Sequence, residues 1–234
     1  MNLIHAKGYQ ELSEIVALIM VEAIEKNPRS NLCLATGSSP SLAYDLFVDH
    51  VCARNTDVSG LRFTKLDEWC GIPMDHPSTC EAFIRTKLLD PLKIPEDRYL
   101  SFDSMTTLYD EEGRRIHEAL TKHPIDLCIL GLGKNGHLGL NEPSSILIPF
   151  AHVANLAEKT KTHPMIEGVV VNKGFTLGMQ EILNSKRILL IVSGDGKHEI
   201  YRKFLNQEVD TELPASFLWL HDDVTVVVQD DRFN

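Results

Sequence analysis

The chain has 234 residues, 43% of them apolar and 24% charged, which allows one well-packed core and excludes wholesale disorder. Lys and Arg number 23 against 33 Asp and Glu, a formal charge of −10; this argues against a nucleic-acid binder, whose affinity rests on a basic face, and leaves room for a local cationic pocket. No run approaches the ~18 apolar residues of a membrane span, and the start, MNLIHAKG, lacks the basic-then-apolar pattern of a secretory signal.

In chain order, Leu12, Ile15, Val16, Ile19 and Ala23 share one face of a helix predicted over 9–26, which Asn27-Pro28 stops. The short apolar run 32–35 predicts a strand covered on both faces. Thr36-Gly37-Ser38-Ser39-Pro40 follows it and opens a second helix. Further strands are expected at 62–69, 125–132, 187–193 and 224–228, with helices at 78–89 and about 196–206. Strands separated by helical crossovers make a mostly parallel sheet with helices on both faces, an α/β, Rossmann-like layout in one domain spanning 1–234. Ligands of such sheets bind beyond the carboxyl ends of the strands. The five cysteines, Cys33, Cys52, Cys70, Cys80 and Cys128, are an odd count without CxxC spacing. They read as reduced thiols of a cytoplasmic protein rather than as disulfides or metal ligands.

Four strand ends carry the candidate chemistry. At the first, Thr36, Gly37, Ser38 and Ser39 offer hydroxyls, backbone amides and a positive helix end to an anion, or else form a plain turn and cap; the spacing matches neither GxxxxGK[ST] nor GxGxxG. At the second, Asp67 and Glu68 are adjacent in a strand and point to opposite faces, so one enters a cleft as a general base while the other caps or pairs, unless both are solvated. At the third, 131–143, His137 and Glu142 pair a proton-transfer group with a carboxylate able to orient it, in a glycine-rich loop. At the fourth, 193–197, Lys197 lies in the first turn of a helix, where the dipole disfavours a cation. It is held there for a phosphate or is simply solvated.

Together the segments LATGSSP, KLDEW with HPSTCEAF, LGLGKNGHLGLNEP, GFTLGMQEIL, SGDGK and PASFLWLH resemble the glucosamine-6-phosphate deaminase family over nearly the whole chain. PASFLWLH draws the likeness toward its galactosamine-6-phosphate deaminase/isomerase branch. The resemblance implies cofactor-free aldose-to-ketose isomerisation of a 2-amino-2-deoxyhexose 6-phosphate with loss of ammonia. By motif position, Asp67 would move the proton between C2 and C1. His137 would open the ring, assisted by Glu142 and Asn135. Thr36, Gly37, Ser38 and Ser39 would line the phosphate site, with Lys197 as its point charge. A phosphate-binding arginine of the family's lid has no clear counterpart here, where a lid would span about 151–173; Lys161 and His163 are the nearby candidates. The basic effector-site residues of the family's allosteric hexamers are absent, with His152 and Ala154 in that region, which implies no amino-sugar allosteric control and leaves the oligomeric state unassigned.

Two other readings compete. A 6-phosphogluconolactonase-like hydrolase shares the fold and a Gly-His loop, but Asn141-Glu142-Pro143 and Trp69 stand where lactonases typically carry Ser-Leu-Phe-Pro and Arg. A non-catalytic sugar-phosphate-binding regulator would not need Asp67, His137 and Glu142 together, and this chain has no basic recognition helix for DNA.

Overall fold

Strand residues in this chain divide by parity between two cores. Leu189 and Ile191 join one apolar cluster, with Leu12, Val16, Met20, Tyr44 and Phe47. Their neighbours Ile188, Leu190 and Val192 join another, with Ile116, Leu120, Tyr201 and Phe204. Side chains alternate across a strand, so a continuous apolar run is a strand buried on both faces. The computed structural model describes residues 1–232 apart from 159 and 163.

The strands are Asn2–Ala6 (β1), Asn31–Leu34 (β2), Arg62–Lys65 (β3), Asp67–Trp69 (β4), Tyr99–Leu100 (β5), Leu127–Gly131 (β6), His152–Asn155 (β7), Lys173–Thr176 (β8), Arg187–Val192 (β9) and Val224–Gln229 (β10). Seven of them form one parallel sheet in the order β1-β10-β9-β6-β2-β3-β5. The helices Tyr9–Lys26 (α1) and Ser38–Arg54 (α2) cover one face. The other carries Tyr109–Lys122, the short Met179–Leu183 and His198–Leu205; in chain order these three are α5, α6 and α7, with α3 and α4 described below. The layout is the expected Rossmann-like α/β one. From β2 the chain first builds outward through β3 and β5, then returns to β6 on the other side, so the topological switch lies between β2 and β6, where such sheets open a crevice. Among the described residues no helix is long and apolar enough to cross a membrane.

Two expectations change. The single strand expected at 62–69 is two: β3 lies in the parallel sheet, and after Leu66 the chain crosses to β4. There it pairs antiparallel with β8 in a second sheet ordered β4-β8-β7. Leu66 bridges both, donating its amide to Leu34 O and accepting at its carbonyl from Leu177 N. The helix expected at 78–89 begins instead after Thr79, whose Oγ1 accepts from Ala82 N at 3.0 Å as an N-cap. It runs through Cys80–Ile84 (α3) and a π turn, Arg85–Leu89, to Asp90–Leu92 (α4). Pro91 brings no amide to this ladder, and Asp90 N reaches back to Arg85 O. The start of the chain, for which the sequence pattern gives no element, is the edge strand β1 beside β10. Of the cysteines, Cys33, Cys80 and Cys128 are buried free thiols, Cys70 is half-buried and Cys52 is exposed.

Candidate active site

Strands β9, β6, β2 and β3 are consecutive in the parallel sheet, so the four segments that follow them emerge side by side along one edge. These are the four segments that carry the candidate residues.

After β2, Gly37 takes φ +97°, a left-handed conformation that side chains resist, and N-caps α2 without a side-chain bond. The first turn of α2 contains no acidic residue, so its amides and positive end are not neutralised from within. Ser38 is exposed and Ser39 buried. Ser193 Oγ donates to Ser39 Oγ at 3.0 Å, which ties this loop to the segment after β9. Thr36 Oγ1 is turned toward Cys80 Sγ, 3.2 Å away.

After β3, the two adjacent carboxylates separate as alternation requires. Glu68 is fully buried. It accepts from Trp69 N and Cys80 N at Oε1, and from Glu81 N and Lys65 Nζ at Oε2, so it caps α3 and anchors that helix to β4. Lys65, also fully buried, spans Glu68 and Glu81 at 2.8 and 2.9 Å. Asp67 faces the other way. Its Oδ1 is shut from water with no hydrogen-bond partner. Burial, reinforced by the Glu68 charge and opposed by His137 and Lys65, pushes its carboxyl up to about 7.

After β6, Asn135, His137 and Glu142 form a closed set. Asn135 Nδ2 donates to Glu142 Oε2 at 2.7 Å, His137 Nδ1 lies 3.2 Å from the same oxygen, and His137 N donates to Asn135 Oδ1 at 3.3 Å. Glu142 Oε1 accepts from Thr160 Oγ1 and from Ala157 N. Burial alone would raise this carboxyl; bonds and charge from His137, with Thr160 and Asn135, bring it down to about 2. The imidazole lies against Gly133, where a Cβ would meet its ring carbons and Nε2 at 2.3–2.6 Å. Glycine is needed there for close approach rather than for a turn.

After β9, Lys197 precedes α7 at its N-cap instead of standing within its first turn. It is half-buried, and burial, then the charge of Lys134, lowers its ammonium to about 8.

Two candidates remain, and Lys161 directly follows Thr160, which bonds Glu142. Lys161 pairs with Glu158 Oε1 at 2.7 Å and lines an open cavity of about 650 Å³ formed with Thr162 and the 164–170 segment. His163 lies outside the described residues.

Residues 5–227 match the family described as Glucosamine-6-phosphate isomerases/6-phosphogluconolactonase. The chain belongs to this family. It is 42% identical over 217 residues, 92% of its own length and 86% of the relative's, to the Escherichia coli (strain K12) protein AgaI, whose name gives it a deaminase role provisionally. It is 32% identical over 237 residues, 99% of this chain and 96% of the relative, to a glucosamine-6-phosphate deaminase of Shouchella clausii (strain KSM-K16). A solved structure titled as a monomeric glucosamine-6-phosphate deaminase superposes with a TM-score of 0.92 at 32% identity, covering 97% of each chain. A 6-phosphogluconolactonase from Trypanosoma cruzi, at 19% identity and a TM-score of 0.80 over 97% of this chain and 93% of its own, shares the fold.

Within this member of the family, PASFLWLH supports the site through its backbone. Ala215 N donates to Gly136 O at 2.9 Å, buttressing the turn before His137. Trp219 Nε1 donates to Phe204 O, and His221 Nε2 lies 2.7 Å from Ser185 O, so both rings are held by backbone. Sequence reasoning did not find Lys65, Glu81, Thr160, Ser193 or Lys134. Lys65 was open to detection, as a charge within a strand otherwise expected to be buried. Thr160 has no local mark, since its role depends on a contact 18 residues back.

Proposed function

We propose that the protein is an amino-sugar 6-phosphate deaminase/isomerase that converts galactosamine 6-phosphate or glucosamine 6-phosphate, with water, to the ketohexose 6-phosphate and ammonia. The observation that carries this reading is Asp67: a carboxylate with an unpartnered buried oxygen, held up to about 7, within electrostatic reach of the hydrogen-bonded set of His137, Glu142 and Asn135. Two separate proton-transfer groups are what ring opening followed by a proton shift requires.

In this scheme His137, oriented by Glu142 and Asn135, moves the proton that opens the pyranose. Asp67 takes the proton from C2 of the open aldose and returns it to C1 through an enolamine. The resulting C2 iminium adds water and releases ammonia. Every step is a proton transfer or hydrolysis, so the chemistry calls for no redox group. Thr36, Gly37, Ser38, Ser39 and Lys197 anchor the phosphate, and binding energy from that remote group holds C1 and C2 in register with the base. The segment 151–173 acts as the lid of a single domain, coupled to the chemistry because Thr160 and Ala157 N both hold Glu142.

Identity of 42% to a protein named as a deaminase and of 32% to glucosamine-6-phosphate deaminases favours this over lactone hydrolysis. The test is ammonia release from both epimeric 6-phosphates in parallel. Release from either supports the reading and ranks the C4 epimers. Absence of release from both, with hydrolysis of 6-phosphogluconolactone or with thermal stabilisation by the sugars alone, replaces it with the hydrolase or the regulator.

A further inference from the structure

Strands β6 and β9 are neighbours, so Lys134, three residues beyond β6, and Lys197, five beyond β9, emerge together. A Cβ on Gly196 would stand 3.8 Å from Cδ and Cε of Lys134 and 3.9 Å from its Nζ, so the Lys134 stem lies along the turn that carries Lys197. Among the described residues neither ammonium has a carboxylate within ion-pair distance. Lys26, Lys65, Lys87, Lys161, Lys186 and Lys203 have one, so it is the adjoining position of Lys134 and Lys197, rather than the lack of a partner alone, that sets these two apart.

Two like charges on adjoining turns, without counter-charges, repel, and because Lys134 is exposed the repulsion is partly screened by water. An anion between the two ammoniums removes the cost. The same place adjoins the start of α2, because Ser193, at the head of the Lys197 turn, is bonded to Ser39.

We propose that Lys134 is the second cation of the phosphate end of this site, clamping the substrate's phosphate jointly with Lys197 from the loop that also carries His137. The proposal rests on the reading of the protein as acting on a sugar 6-phosphate, and it gives the ring-opening loop a direct grip on the substrate's remote end.

The test uses inorganic phosphate as the probe, titrated at constant ionic strength with chloride and followed by NMR and thermal stabilisation. Lys134→Ala weakens phosphate binding about ten-fold, the scale of one charged hydrogen bond. Lys134→Arg retains most of the binding, and the remote control Lys26→Ala leaves it unchanged. In turnover, Lys134→Ala raises KM for the 6-phosphate by a similar factor while kcat holds within about two-fold. Phosphate binding to Lys134→Ala at wild-type strength overturns the proposal, as does an equal loss in Lys26→Ala, which would reduce the effect to net charge. If neither epimer is turned over yet phosphate binding depends on Lys134, the reaction reading fails and the cation pair stands.

Discussion

At Asp67 a single side chain carries both a catalytic expectation and a measurable pH dependence. Its ordinary value is 3.8 and burial lifts it to about 7. A base must be deprotonated to act, so kcat/KM should rise with pH through about 7. Asp67→Asn should lower kcat by ~10²–10⁴-fold with a small change in KM, and remove that acid limb. A variant with full turnover would end the assignment. The stability linkage has the same origin. The folded protein holds this proton more tightly than the unfolded chain, so its stabilising effect is full below about pH 4 and is lost as pH rises through about 7. Wild-type stability should therefore fall relative to Asp67→Asn over that window in denaturant titrations. Glu142 works in the opposite sense: its value drops from 4.5 to about 2, so its contribution is present above about pH 4.5 and lost as pH falls toward 2.

Between elements, the buried Lys65 joins the end of β3 to the start of β4 and to α3, through Glu68 and Glu81. Arg85, Tyr99 and Ser101 complete the shell around Glu81. The net value of such a buried set is small, because desolvation offsets attraction, but breaking it strands a charge. Lys65→Met should destabilise the protein by ~3–5 kcal/mol, seen as a lower denaturant midpoint. It should also disturb Asp67, because the lost cation opposes the rise of that carboxyl; the acid limb of the pH–rate profile should move upward. A midpoint unchanged by Lys65→Met would mean that the two carboxylates are protonated or hydrated instead.

Across the whole molecule, the sheet closes late. β10, the last strand, is buried along its full length between β1 and β9, so the two ends of the chain meet in one ladder. Removing residues 1–6 should expose β10 as a flat, valine-rich edge. The expected result is a lower thermal midpoint and concentration-dependent aggregation, checked by light scattering. A truncated protein as stable and monodisperse as the full chain would show that β1 only covers the edge without supporting it.

Strand and helix alternation was readable because each apolar run or helical stripe is a local pattern: 9–26 is α1, and 32–35, 125–132 and 187–193 fall on β2, β6 and β9 within one or two residues. His137 and Glu142 were readable as a pair from local spacing and Asn135 through the resemblance; the three lie within eight residues and bond to one another. What local pattern could not convey was partnership at a distance. The break at Leu66 depends on pairing with β8, more than a hundred residues later. Which of Asp67 and Glu68 joins the buried ion-pair set and which faces away depends on where the α3 amides and Lys65 stand. Lys134 and Lys197 emerge onto adjoining turns only because β6 and β9 are neighbours in the sheet, and strand order is a property of the assembled core rather than of any segment within it.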